Sequence, residues 1–263
     1  MAPRTSNASC GEDMVFPIGD ENEPGGRRAP VTLLIILLNF AVFLLLQLPE
    51  QSKQSQPFTY GFSTIPYEIT HNVDLVRPER ITIGGQTALI DEAPGPQPIQ
   101  LTLLTSMFMH GGWLHILGNM WFLWIFGDNV ERRFGSIFYA LFYLAAGVIA
   151  GLTQVLASPD SVIPNLGASG AIAGVLGAYL AMFPSKRVVI VIFSFVPFVV
   201  PAIVAIGLWA LLQFVNGLGQ IAMTEQTGGM AYLAHVGGFI SGLIVGLMFR
   251  VGGGSGRTPQ YVR

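Results

Sequence analysis

Charge is what this sequence has least of. Asp, Glu, Lys and Arg make up 11% of its 263 residues, whereas 51% are hydrophobic and the mean hydropathy is +0.57. Soluble domains carry about 25% charged residues, so this chain cannot cover a globular surface with hydrated side chains. It reads as an integral membrane protein. The net charge of −2 supplies no basic surface, which excludes nucleic acid as a partner. Cysteine is nearly absent. Cys10 alone rules out an intramolecular disulfide and a cysteine zinc cluster, and in its polar setting it reads as inert.

What is present is a series of apolar runs. Residues 1–30 are rich in Pro, Gly, Asn and charge and read as a disordered cytoplasmic tail, and residues 251–263 read as a cytoplasmic C-terminal tail. Five acidic residues in the first thirty argue against an organellar transit peptide. The run at 31–48 is too long for a signal-peptide core and reads as an uncleaved helix. Further spans are expected at 113–127, 134–157, 167–183 and 232–249. Between the first two lies a loop of 64 residues, 49–112, whose second half is apolar enough to fold back onto the membrane surface.

The stretch 188–218 is ambiguous. As one helix it would be ~46 Å long against a hydrocarbon core of ~30 Å. Its front part, "VVIVIFSFVPFVV" at 188–200, is β-branched and contains Pro197, which suits an extended or interfacial piece. Pro201 can then open a helix over 201–218. The expected fold is an all-α polytopic bundle of six transmembrane helices within 31–250, with a long membrane-associated first loop. Charge placement agrees. With both termini cytoplasmic in the cell membrane, only Lys53, Arg77 and Arg80 of the thirteen basic residues fall outside. A seventh span at 188–200 would put Arg250 outside.

This topology brings three chemically capable residues to one depth. His115, Ser169 and His235 each lie two or three residues inside a span that starts on the outer face. A serine in an apolar helix ordinarily bonds back to its own backbone. Intramembrane ionisable residues, however, are costly and face a bundle interior or a water-filled cavity. Small residues recur every four positions in both helices: Gly170, Gly174 and Ala178 in one, Ala234, Gly238, Gly242 and Gly246 in the other. Such stripes permit close backbone approach. An imidazole can activate a serine hydroxyl, and no span contains Asp or Glu, so a Ser169–His235 dyad is expected. His115 and Asn119, four apart, share one helix face and can supply oxyanion donors beside the Ser169 N–H.

These residues resemble the rhomboid intramembrane serine proteases. The matching pieces are "HGGWLHILGNM" at 110–120, "ERRFG" at 131–135, "GASGA" at 167–171 and "AHVGGFISG" at 234–242, in the family's order. The resemblance implies Ser169 as nucleophile, His235 as general base, and His115 and Asn119 in the oxyanion hole. It implies no cofactor or metal, and transmembrane-helix substrates cut near the outer face of the bilayer. Glu131 and Gly135 would hold the inner end of the second span. One position departs from the pattern. Many relatives stack an aromatic residue, four after the serine, on the base; here that residue is Ala173, so Tyr232, Tyr179 or another ring must serve.

Other classes remain to be weighed. A catalytically silent rhomboid-like scaffold would bind transmembrane helices without needing Ser169 or His235. A transporter should show an inverted repeat, and none is visible. A metal site using His71, His110 and His115 would lack any carboxylate from the spans. The oligomeric state is left open by the sequence.

Overall fold

The computed structural model describes residues 16–21, 29–51, 56–83, 86–90, 93–192, 196–222 and 231–252. Helices dominate: α1 (Pro30–Glu50), α2 (Pro57–Gly61), α3 (Pro66–His71), α4 (Ile99–Phe108), α5 (Trp113–Phe134), α6 (Ser136–Ala157), α7 (Ser169–Met182), α8 (Ala202–Ala222) and α9 (Tyr232–Gly252). Four described helices are long and apolar enough to cross a membrane: Pro30–Glu50, Ser136–Ala157, Ala202–Gly219 and Tyr232–Val251. α5 is as long as α6, but its last two turns carry Asp128, Glu131, Arg132 and Arg133. α7 has only 14 residues and is apolar throughout.

The bundle is built around α7, whose side chains from Gly170 to Tyr179 are all buried. Two neighbours reach its backbone. A Cβ added at Gly238 would run into the Gly170 carbonyl, one at Gly242 into the Gly174 carbonyl, and one at Gly246 would meet the Ala178 oxygen at 2.7 Å. Hence the small-residue stripes of α7 and α9 lie face to face. Beside that contact Gly170 and Gly174 also receive the methyl groups of Ala150 and Ala146 from α6. Dispersion and close packing hold such helices, because lipid offers no hydrophobic force between them.

Glu131 joins three helices, the start of α1, the end of α5 and the start of α6. Its carboxylate accepts from the Val31 and Thr32 amides at 3.0 and 2.7 Å, from Thr32 Oγ1 at 2.8 Å and from Ser136 Oγ at 2.6 Å. It therefore caps the first turn of α1, whose N–H groups have no helical partner. Gly135, at φ +81°, makes the tight corner from α5 to α6. This is the role expected for the "ERRFG" segment.

The fold is mostly helical, as expected, and two small sheets that the all-α reading left out accompany the helices. The β-branched run after α7 forms a hairpin, β4 (Arg187–Ile192) with β5 (Val196–Pro201). β1 (Phe16–Asp20) pairs antiparallel with β4 as the edge strand of a three-stranded sheet. Residues 16–20 thus depart from the disordered tail expected over 1–30. Pairing with a β-branched partner overrides a weak local preference, and Pro17 is tolerated because β1 is an edge. The strand is tied down by Asp20, which accepts from Tyr179 Oη at 2.6 Å and Asn129 Nδ2 at 2.7 Å. Burial holds the Asp20 carboxyl above its usual range, while Tyr179 pulls it back. Residues 1–15, 22–28 and 253–263 lie outside the described residues.

The long loop is a folded layer. It contains α2, α3, the hairpin of β2 (Glu79–Ile83) with β3 (Gln86–Ile90), and α4. Met107 of α4 packs onto Gly147 of α6. Thr64 exchanges backbone bonds with Asn165 at 2.9 and 2.8 Å, and its hydroxyl donates to Ser106 Oγ at 2.9 Å. The Ser106 backbone carbonyl accepts in turn from the Gly167 amide at 2.9 Å. The loop thereby grips the segment that leads into α7.

Candidate active site

Ser169 is the first residue of α7, so its amide has no acceptor inside the helix. Ala168 before it already has right-handed helical dihedrals, and Gly167 lies at φ +121°, a conformation that disfavours any side chain. His235 sits in the first turn of α9 and is only 6% exposed. Its Nε2 lies 2.8 Å from Ser169 Oγ. The glycine contacts between α7 and α9 account for this closeness, since bulkier residues would separate the two helices. The other ring nitrogen, Nδ1, lies 2.8 Å from Oε1 of Gln213 on α8.

His115 and Asn119 stand on successive turns of α5 and converge on Gly167. A Cβ there would fall 2.7 Å from His115 Nε2 and 3.6 Å from Asn119 Nδ2. The Asn119 amide nitrogen is buried and makes no hydrogen bond among the described residues. Buried donors are rarely left without partners, so one aimed beside a candidate nucleophile invites an acceptor from outside. His115 Nδ1 receives only a long contact from the Gly111 amide, at 3.4 Å.

The remaining histidines are arranged otherwise. His110 is buried against the His115 ring, with centroids 5.1 Å apart, and neither of its nitrogens has a hydrogen-bond partner among the described residues. Burial pushes its pKa down to about 3, with the neighbouring His115 adding to the effect. His71 is instead stacked on Tyr67 in the loop and bonds to Thr70. Among the described residues no three His, Cys, Asp or Glu side chains are grouped as a metal site.

The ring beside His235 comes from an unexpected helix. Trp209 of α8 lies 6.1 Å from the His235 ring, tilted by 36°. Tyr179, one of the rings suggested from sequence, points to the other end of α7 and bonds Asp20. Neither Trp209 nor Gln213 belongs to any of the matching segments. Their only signal is a four-residue spacing on one face of an apolar helix.

The model of the Rhomboid domain matches residues 99–251. This chain belongs to the rhomboid family. The rhomboid domain thus takes in every helix that supplies the site and begins within the long loop. Among relatives, "Rhomboid protease GluP" of Bacillus subtilis is 34% identical over 145 residues, covering 55% of this chain and 26% of that protein. "Rhomboid protein 1, mitochondrial" of Saccharomyces cerevisiae is 28% identical over 151 residues, 56% of this chain and 41% of the relative. "RHOMBOID-like protein 4" of Arabidopsis thaliana is 27% identical over 225 residues, 82% of this chain and 51% of the relative. The matches span between a quarter and a half of these relatives. Membership of the rhomboid family and four long apolar helices together make this a membrane protein.

Proposed function

We propose that this rhomboid is an intramembrane serine endopeptidase acting on transmembrane segments of other proteins. The observation that carries the reading is the 2.8 Å contact between Ser169 Oγ and His235 Nε2. A serine hydroxyl needs a base to become nucleophilic at neutral pH, and a contact of this length is within proton-transfer reach. As Oγ adds to the scissile carbonyl carbon, its proton passes to Nε2 and negative charge collects on the carbonyl oxygen. Asn119, His115 and the Ser169 amide are the donors for that oxygen. His235 then returns the proton to the leaving nitrogen as the C–N bond breaks. A water molecule, deprotonated by His235, releases the acyl chain from Ser169.

Depth in the membrane follows from the length of α7. Fourteen residues make a helix of ~21 Å, about 9 Å short of a ~30 Å hydrocarbon core. The inner end of α7 is fixed near the Lys186 and Arg187 charges, so Ser169 falls below the outer surface rather than at it. We count α5 and α7 as spans alongside the four long apolar helices, which makes six within 31–250, with both ends cytoplasmic. Substrate helices are then cut near their outer boundary, where weak helix segments expose their peptide bonds most readily.

Labelling with a serine-reactive fluorophosphonate in liposomes tests the reading. Ser169 should be modified and Ser169→Ala should not. A chain that resists the probe and leaves transmembrane substrates uncut would be a helix-binding scaffold instead.

A further inference from the structure

α8 lies at the edge of the bundle, and most of its surface faces outward: Leu208, Leu211, Leu212, Phe214, Val215 and Leu218 are all exposed. One stripe turns inward. It runs Ala202, Ile206, Trp209, Gln213 and Gly217, with Gly217 packed on Leu233 of α9. Four of these five are apolar or small. Gln213 is the exception, and it is buried at 9% exposure. A primary amide in that setting costs free energy unless it is bonded. Its partner is His235 Nδ1, at 2.8 Å.

We propose that Gln213 is a positioning residue that fixes the tautomer and ring orientation of His235, an inference that rests on the protease reading above. A neutral imidazole carries one N–H and one lone pair, and either nitrogen can hold the proton. Gln213 Oε1 can only accept. With that oxygen opposite Nδ1, the proton resides on Nδ1 and the lone pair of Nε2 faces the Ser169 hydroxyl. The alternative tautomer would present an N–H to Oγ and could not take its proton. Once Nε2 is protonated, the Nδ1–H bond to Oε1 becomes charge-assisted and strengthens. A neutral amide thus does for His235 what a carboxylate does in a three-residue charge array, without a second charge in the membrane. Neither α8 nor α9 contains Asp or Glu to do it otherwise.

Trp209, one turn earlier on α8, stands beside the same ring. The base is therefore oriented by α8 through two side chains, although nucleophile and base belong to α7 and α9.

The test uses the full chain in liposomes with one transmembrane substrate and the fluorophosphonate probe. Gln213→Met keeps the volume and removes the acceptor. Losing one buried hydrogen bond should lower kcat and the probe-labelling rate by about 10- to 100-fold, with KM unchanged. Gln213→Glu keeps an acceptor oxygen in either protonation state and should recover most of that loss. A purely structural role gives the reverse order, since methionine suits an apolar helix face and glutamate does not. Full activity in Gln213→Met would overturn the inference, as would a folded Gln213→Glu no better than the methionine variant. If Gln213→Met melts early, Gln213→Glu decides alone: near-native kcat supports the acceptor, and loss of kcat in the folded protein overturns it. An unreactive wild type would instead remove the protease reading and this inference with it. A reactive wild type with indifferent Gln213 variants would remove this inference alone.

Discussion

Ser169 and His235 are 66 residues apart in sequence and 2.8 Å apart in space, and glycine is what closes the gap. Gly238 and Gly242 of α9 press directly on the carbonyls of Gly170 and Gly174. Hence the distance between Ser169 and His235 is set by the contact of two backbones, with no side chain between them.

Ser169→Ala and His235→Ala should each abolish cleavage, and the double variant should be no worse than either, because residues acting as a unit do not add. Asn119→Ala should keep measurable activity, reduced by about 10²–10³ in turnover with KM little changed, as for a single oxyanion donor. His115→Ala should follow Asn119→Ala. Steady-state cleavage by the five variants in liposomes, with thermal melts as a folding control, checks the set. An inactive His115→Ala beside an active His235→Ala would move the base to α5.

Gly242→Ala should damage both stability and activity. The added methyl meets backbone atoms of Gly174, which cannot rotate away as a side chain would, and overpacking costs about 1–3 kcal/mol. Gly207→Ala on α8 is the control, since nothing lies within 4 Å of its added Cβ. It should leave the melting temperature unchanged or raise it, because alanine favours the helix. Equal melting of the two variants would show that the α7–α9 contact is looser than described.

Glu68 gives the loop a pH dependence. Burial raises its carboxyl to about 7, opposed by the Leu75 amide that donates to it at 2.7 Å and reinforced by Asp74. The folded state then holds a proton that the unfolded chain has released between about pH 4.5 and 7, so stability falls as pH rises through that window. Melting temperatures measured from pH 5 to 8 should decline, and Glu68→Gln should flatten the slope. A slope unaltered by that substitution would assign the effect to another group.

Topology can be read with single cysteines in a Cys10-free background. Asp160, before α7, and Ser185, after it, are both exposed. A membrane-impermeant thiol reagent applied from outside should modify Asp160→Cys and spare Ser185→Cys. The opposite pattern would invert the bundle and put the Ser169 end of α7 inside.

The parts legible in sequence were those carried by local spacing. His115 and Asn119 are four apart, and the glycines of α7 and α9 recur every four residues, so a helix alone places them on one face. Ser169 and His235 could be matched because each begins an apolar run on the same side. Gln213 was not legible, since one polar residue in an apolar run has no partner until α8 is packed against α9. Trp209 was hidden for the same reason, and Ala173 directed attention to other rings. β1 was missed because "FPIGD" contains Pro and Gly, and only the β4 edge makes it a strand.

The bond from Glu131 to the start of α1 also constrains assembly. The amides of Val31 and Thr32 precede their acceptor by about one hundred residues. A helix entering the bilayer ahead of that acceptor must leave its first-turn N–H groups to water and lipid headgroups at the interface, where they can be satisfied. α1 can therefore insert early but acquires its place only when the α5–α6 corner arrives beneath it. α1 is made before α5 but is locked only after it.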